Sequence, residues 1–403
     1  MKNTMILSLS AALLLLSACG SDEVEQTVDT EATAQIAQQG EAPPGEMAGG
    51  PGQGGPGGGA MNEQATANDS IIEIVEEVAA DTTIVSEEHV VELAEELKST
   101  LSDEELETLQ YEFTEENAQV WTNLPANSTN RNGLALGDLS EESVKAALKL
   151  AKAALSEEGF ETMVNIIRSD EFLTTDTGRT EWGSRLYYIA FLGEPSNTDT
   201  WMLQISGHHL AENIVYNGEY VSATPQFTGT EPQTFTLDGV TYSPIEKKRD
   251  AMYSMLDSLS SDQQAEAKLS GTFKDVVVGA GKDGQFPETE GLAYSSLTAE
   301  QQNLVKEAIT TWVSESSDSI STELLSEYLN EEALSNTYIS WGGSLDPNEV
   351  GAYARIDGPR VYIEMASQAG VAYNSDTEEE THFHTVWRDK VADYGGELSG
   401  LLQ

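Results

Sequence analysis

Cysteine is all but missing, with Cys19 standing alone in 403 residues. No disulfide can form within the chain, so stability has to come from a buried core. Cations are scarce as well: 20 Lys and Arg face 69 Asp and Glu, a formal charge of −49. A surface of that sign repels nucleic acid and anionic headgroups, so neither is expected as a partner. The acidic excess runs along the whole chain, and a saline surrounding would screen its self-repulsion. Past the N-terminus no apolar run is long enough to span a bilayer. There is no P-loop, no Gly-x-Ser-x-Gly elbow, no His-Glu-x-x-His and no EF-hand loop, so several common enzyme and ion-binding readings lose their support.

The lone cysteine sits in a telling context. Lys2 gives a positive start, Met5 to Leu16 is apolar, and Leu16-Ser17-Ala18-Cys19 puts small residues ahead of a thiol. That order is expected of a lipoprotein signal over residues 1–18, with Cys19 as the lipidated residue. The apolar stretch is about twelve residues, short of the roughly 20 a membrane span needs. The expected location is the cell envelope, outside the cytoplasm, with the lipid as the only membrane contact. Gly20 and Ser21 are not acidic, so the outer membrane is favoured if the cell has two. Residues 19–70 are expected to be a disordered stalk, acidic and then Gly/Pro-rich over Glu41 to Ala60, with no apolar face to bury.

A globular domain is expected over residues 71–403. Helical stripes run through Ile71–Val78 and Val90–Leu97. Ser102 with Glu105, Ser260 with Gln263 and Thr298 with Gln301 read as capping boxes. They predict helices over 102–117, 260–269 and 298–315, beside others at 140–156, 159–169, 245–258 and 320–332. Strands are expected at 186–193, 201–206, 338–341, 352–356, 361–365 and 382–388. Hairpin turns are expected at Asn217-Gly218, Asp238-Gly239 and Asp357-Gly358. Helices come in blocks and strands in hairpins, which is an α+β layout in one large domain with a mainly antiparallel sheet. The capped helix starts are irregularly spaced and do not suggest an internal repeat.

Five histidines are present, and four fall in two clusters. His208 and His209 follow a predicted strand. His382 and His384 alternate on another and so share a face. This predicts a three- or four-histidine metal site with a position open for water, substrate or a carboxylate. Of the adjacent pair, one histidine should join unless Gly207 breaks the strand. Zinc, copper and iron all suit imidazole. Glu194, Glu212, Glu380, Asp389 and Asp393 are nearby acids. Glu194, Asn213, Arg388 and Asp389 are candidates for a supporting shell or a substrate clamp. Arg388 and Arg360 are more simply read as partners of structural acids such as Asp389. Without a metal, the same imidazoles would form a polar pocket.

Gly279-Ala280-Gly281-Lys282-Asp283-Gly284 matches G-x-G-x-x-G, but Pro287 and Gly291 follow where a helix would have to start. It reads as a loop, and no nucleotide is expected. Trp121, Trp182, Trp201, Trp341 and Trp387 read more simply as core than as a sugar groove.

Several segments occur in an order that resembles a known family. They are Trp121-Thr122-Asn123-Leu124-Pro125, Phe191-Leu192-Gly193-Glu194-Pro195-Ser196, Trp201 with Gly207-His208-His209-Leu210 and Asn213, and Thr224-Pro225 with Phe227 and Gly229. His382-Phe383-His384-Thr385, Arg388-Asp389 and Asp393-Tyr394-Gly395 complete the set. The chain is similar, from about residue 87 to 403, to the bacterial domain of unknown function 3500 (DUF 3500). The resemblance implies one domain unit holding these segments together and supplies no catalytic roles. Two readings follow from the residues. One is a lipid-anchored metal-dependent enzyme, a hydrolase or an oxidoreductase. The other is a surface lipoprotein that captures an unidentified small molecule in the same pocket without turnover.

Overall fold

Along the central strands apolar side chains sit at both odd and even positions, so both faces of one sheet are buried. Ile189 and Phe191 enter one core, while Ala190 and Leu192 enter another. The computed structural model describes residues 71–83, 86–125, 131–217, 220–371 and 381–399. The expected signal, Cys19, the stalk, Gly218 and Glu380 lie outside them.

The helices are α1 (Ile71–Ala80), α2 (Val90–Ser99), α3 (Asp103–Leu109), α4 (Glu115–Ala118), α5 (Glu141–Ala154), α6 (Glu157–Thr177), α7 (Glu246–Asp257), α8 (Ser261–Ala267), α9 (Ala299–Val313), α10 (Asp318–Tyr328) and α11 (Glu331–Ser335). The strands are β1 (Gln110–Tyr111), β2 (Leu134–Ala135), β3 (Tyr188–Leu192), β4 (Trp201–Ser206), β5 (Leu210–Asn217), β6 (Tyr220–Ser222), β7 (Gln226–Thr230), β8 (Phe235–Leu237), β9 (Val240–Tyr242), β10 (Leu292–Ala293), β11 (Tyr338–Gly342), β12 (Tyr353–Asp357), β13 (Val361–Ala369) and β14 (Thr381–Asp389). Among the described residues, twelve strands form one sheet in the order β1-β3-β4-β5-β7-β14-β13-β12-β11-β10, with β2 on β3 and β6 on β5. Every pairing in it is antiparallel except β1 with β3. The α+β expectation holds. β8 and β9 form a separate hairpin. No helix of the described residues is long and apolar enough to cross a membrane.

All three capping boxes form, and they start α3, α8 and α9. The helix expected over 102–117 stops at Leu109, because Gln110 and Tyr111 pair with Phe191 and Leu192 at the sheet edge. The helix expected over 159–169 runs on to Thr177 and ends at Gly178, whose φ of 70° suits glycine. The stretch 320–332 divides into α10 and α11. The Gly-rich segment 279–284 is a loop, as expected. The five tryptophans are all buried, so they are core and form no surface groove.

The absence of a repeat was the wrong expectation. β2, α5, α6, β3, β4, β5 and β7 are followed in the same order by β10, α9, α10, β11, β12, β13 and β14. The sheet reads alike from either side of its centre, where β7 meets β14 and the Thr228 and Thr385 hydroxyls lie 2.8 Å apart. Leu134 pairs with Ile189 as Leu292 pairs with Ile339. The parallel contact of Gln110 with Phe191 recurs as Lys268 with Trp341. Gly133 (φ 87°) and Gly291 (φ 118°) precede these short strands, and a Cβ there would fall 1.9 Å and 2.4 Å from the carbonyl oxygens of Ile189 and Ile339. One constant spacing separates Ser102 from Ser260 and Ser140 from Thr298. Spacing between neighbouring starts obscures the relation, and loops of unequal length hide it further on.

The helices pack on one face of the sheet, against Ile189, Phe383 and Trp387 among others. On the other face Ala118, Trp121 and Tyr394 cover Ala190, Phe227 and Val386, while Phe273, Val276 and Val277 pack by Tyr353 and Ala366.

Candidate metal centre

The site is built at the joint between the two repeats. His382 and His384 alternate on β14, so both rings leave the same face. Gly229 of β7 lies directly opposite His384. β4 ends at Ser206, and Gly207 to His209 make the tight turn into β5, closed by the Gly207 amide donating to the Leu210 carbonyl at 2.8 Å. That turn carries His209 to the β14 pair. The His209 ring centre lies 5.9 Å from that of His382 and 5.6 Å from that of His384, and the β14 rings are 4.8 Å apart. Each of the three offers a nitrogen within 4.8 Å of the others. Gly229 makes room: a Cβ there would sit 2.8 Å from His209 Cδ2 and 3.1 Å from His384 Cδ2.

The remaining contacts decide which nitrogens are available. His209 Nδ1 lies 3.0 Å from Asp170 Oδ1, and His384 Nδ1 lies 2.9 Å from Asp275 Oδ1. An ionised carboxylate only accepts, so each Nδ1 donates to its aspartate and Nε2 is the nitrogen left for another partner; the Gln368 side-chain amide also lies 2.6 Å from His384 Nδ1. Both Nε2 atoms are buried without a partner, as is His382 Nδ1. The Ala369 backbone bonds the His382 ring. Burial, reinforced by the neighbouring rings, lowers His209 to about 4 and pushes His382 well below the usual imidazole range. These two rings are therefore neutral near pH 7, the state that binds metal. Burial would raise the Asp170 carboxyl, but the two imidazoles beside it hold it below its ordinary range, and His384 does the same for Asp275.

A match to the family described as a protein of unknown function, DUF3500, spans residues 83–396. The chain belongs to that family. The DUF3500 match takes in the three histidines together with Asp170 and Asp275. No curated protein matches the chain, and neither does any solved structure.

Within this DUF3500 chain His208 takes a different place from its neighbour. Its Nδ1 is 3.4 Å from Asp170 Oδ1, its ring centre is 3.8 Å from that of His209, and it packs on Trp182. Asp170, His208 and His209 thus form a second cluster sharing His209. His209 joins the β14 pair and His208 does not; both lie in the turn after the strand stops at Ser206, so strand alternation does not decide which one.

The other candidates are engaged elsewhere. Glu194 is exposed and pairs with Lys98. The Asn213 side chain donates to the Pro225 carbonyl at 2.7 Å and accepts from Gln204 at 2.8 Å. Arg388 does not pair with Asp389. Its guanidinium donates to Asp283 at 2.8 Å, Asp393 at 3.0 Å and the carbonyls of Val278 and Gly279, which pins the Gly-rich loop. Asp389 faces the helix side with Arg360 and Tyr328. Glu212 is buried in a separate cluster with Gln226, Lys248 and Glu315.

Asp170 and Asp275 escaped the sequence reading. Asp170 is a charged residue among the buried positions of α6, next to the equally buried Ser169. A carboxylate at a core position of an amphipathic helix is the signal that could have found it. Asp275 sits in a loop, where no periodicity marks it.

Proposed function

We propose that this chain is a lipid-anchored extracytoplasmic metalloenzyme whose ion is held by His209, His382 and His384. One observation supports the reading above the rest: the Nε2 atoms of His209 and His384 are buried and unpartnered, and each ring is backed through Nδ1 by a carboxylate. A neutral donor oriented by an outer carboxylate is how proteins prepare imidazole for a metal. An ion bonded at about 2.1 Å draws tetrahedral donors to about 3.4 Å from one another, a modest closing of the present cluster. Three protein ligands leave a position for water or substrate. Zinc there would supply hydroxide for hydrolysis, and copper or iron would supply redox chemistry. The three histidines are 0–5% exposed, a setting low in water that strengthens bonds to an ion. The anchor rests on the sequence around Cys19.

The test is metal analysis of the full chain after growth with zinc, copper and iron, beside a His382→Ala/His384→Ala variant whose fold is checked by circular dichroism. About one equivalent in the native chain and none in the folded variant is expected. Equally low metal in both removes the reading. The metal recovered separates hydrolysis from redox chemistry.

A further inference from the structure

Arg131 is an anomaly in a chain so rich in carboxylates. Among the described residues Arg168 pairs with Glu76, Arg360 with Asp389 and Arg388 with Asp283 and Asp393; Arg355 has one buried nitrogen without a partner, Nε, where Arg131 has two. Arg131 meets only neutral carbonyls. Its Nη2 donates to Thr122 at 3.3 Å, to Leu124, and to Gly207 at 2.9 Å. Among the described residues, its buried Nε and Nη1 have no partner. Its guanidinium also lies 5.8 Å from the Tyr188 ring centre, which does not balance a full charge. Arg131 is half-buried, but guanidinium donors shut off from water without a partner are costly and call for an explanation.

Its position supplies one. Thr122 and Leu124 flank Asn123, whose side chain reaches His384 Nδ1 at 3.4 Å and Asp275 at 3.4 Å. Gly207 opens the turn that carries His208 and His209. Arg131 therefore ties together the two segments that border the histidine cluster, one on each side. The nearby carboxylate that senses it, Asp170, is already occupied by the Tyr187 hydroxyl and the two imidazoles.

We infer that Arg131 is an anion-binding residue beside the histidine centre and that the substrate carries a carboxylate or a phosphate. The inference rests on the metalloenzyme reading for the word substrate, while the anion site stands on Arg131 itself. Nε and Nη1 would donate charge-assisted hydrogen bonds to the anion, placing the group next to it toward the ion. In a field this acidic, a cation with unspent donors also selects where an anion can settle.

The test uses the full metal-loaded chain. Inorganic phosphate and acetate are titrated by calorimetry, with chloride at matched ionic strength as the control for screening. One anion per chain is expected, and Arg131→Met should weaken its affinity at least tenfold while metal content and circular dichroism stay the same. Anion affinity undiminished in Arg131→Met overturns the proposal, as does a native chain that responds no more than to chloride. If Arg131→Met does not fold, Arg131→Lys decides: it keeps the charge but loses the Nε and Nη1 donors, so weakened affinity supports the assignment and unchanged affinity overturns it. A chain that takes up no metal but binds anions through Arg131 sinks the metal reading alone. A metal-bearing chain indifferent to anions sinks this one alone.

Discussion

His209 and Arg360 occupy equivalent positions in the two repeats, and each is held by a buried aspartate that also accepts a tyrosine hydroxyl. The turns Gly207-His208-His209-Leu210 and Gly358-Pro359-Arg360-Val361 are closed by the same amide-to-carbonyl bond, 2.8 Å in both. His209 meets Asp170, which takes Tyr187 at 2.7 Å; Arg360 meets Asp389, which takes Tyr328 at 2.8 Å. Equivalent turns thus carry a permanent cation in one repeat and a neutral imidazole in the other, although Asp170 comes from α6 and Asp389 from β14. Only the first-repeat turn brings a ring up to the β14 histidines, so the cluster forms where the repeat carrying His209 meets the other.

Arg360→Ala should therefore act on stability and leave the metal alone. It leaves Asp389 buried with its countercharge removed, at a cost of about 2–4 kcal/mol, moderated by the partial exposure of Arg360. Urea denaturation beside metal analysis checks both halves of the expectation. A variant that lost the ion at unchanged stability would contradict the assignment of roles.

Asp170→Asn should weaken metal binding by about 10–100-fold, because an amide holds the His209 tautomer less firmly than a carboxylate does. Tyr187→Phe should have the smaller effect, since the Asp170–imidazole contact survives. Competition with a chelator measures both affinities.

Gly229→Ala probes the close approach of the rings. The added methyl meets His209, His384 and the Phe383 carbonyl at 2.8–3.1 Å, so at least one ring has to shift. A stability loss of about 1–3 kcal/mol is expected, with metal affinity falling further than stability alone explains. Affinity equal to that of the native chain would mean the rings need not sit as close as they do.

Glu212 gives a pH signature away from the histidine cluster. Burial, then the charge of Glu315, raises its carboxyl from 4.5 to about 8. The folded chain thus holds a proton that the unfolded chain has released, so stability falls as pH rises from about 4.5 to about 8, by up to about 1.4 kcal/mol per unit. Glu212→Gln should flatten this slope and raise the melting temperature near pH 8. An identical pH dependence of melting in both proteins would show that Glu212 is not the group responsible.

Local rules read well where local chemistry decides. The three capping boxes, the β14 alternation that pairs His382 with His384 and the failure of the Gly-rich segment to start a helix are all set by residues within a few positions of one another. What was not legible depends on distant partners. Gln110 and Tyr111 leave their helix to form an edge strand on β3, 81 residues away in sequence. Asp170 and Asp275 are two acids among 69, and only the folded chain distinguishes them. The repeat was obscured because it survives in matched glycines and matched register more than in matched side chains.

Because His209 comes from the first repeat while His382 and His384 come from the second, neither repeat owns a complete set of donors. A chain severed after β7 would leave two pieces, each short of ligands, and ion uptake would return only on their reassociation. The three-histidine cluster at this seam therefore exists only where both repeats are folded against each other.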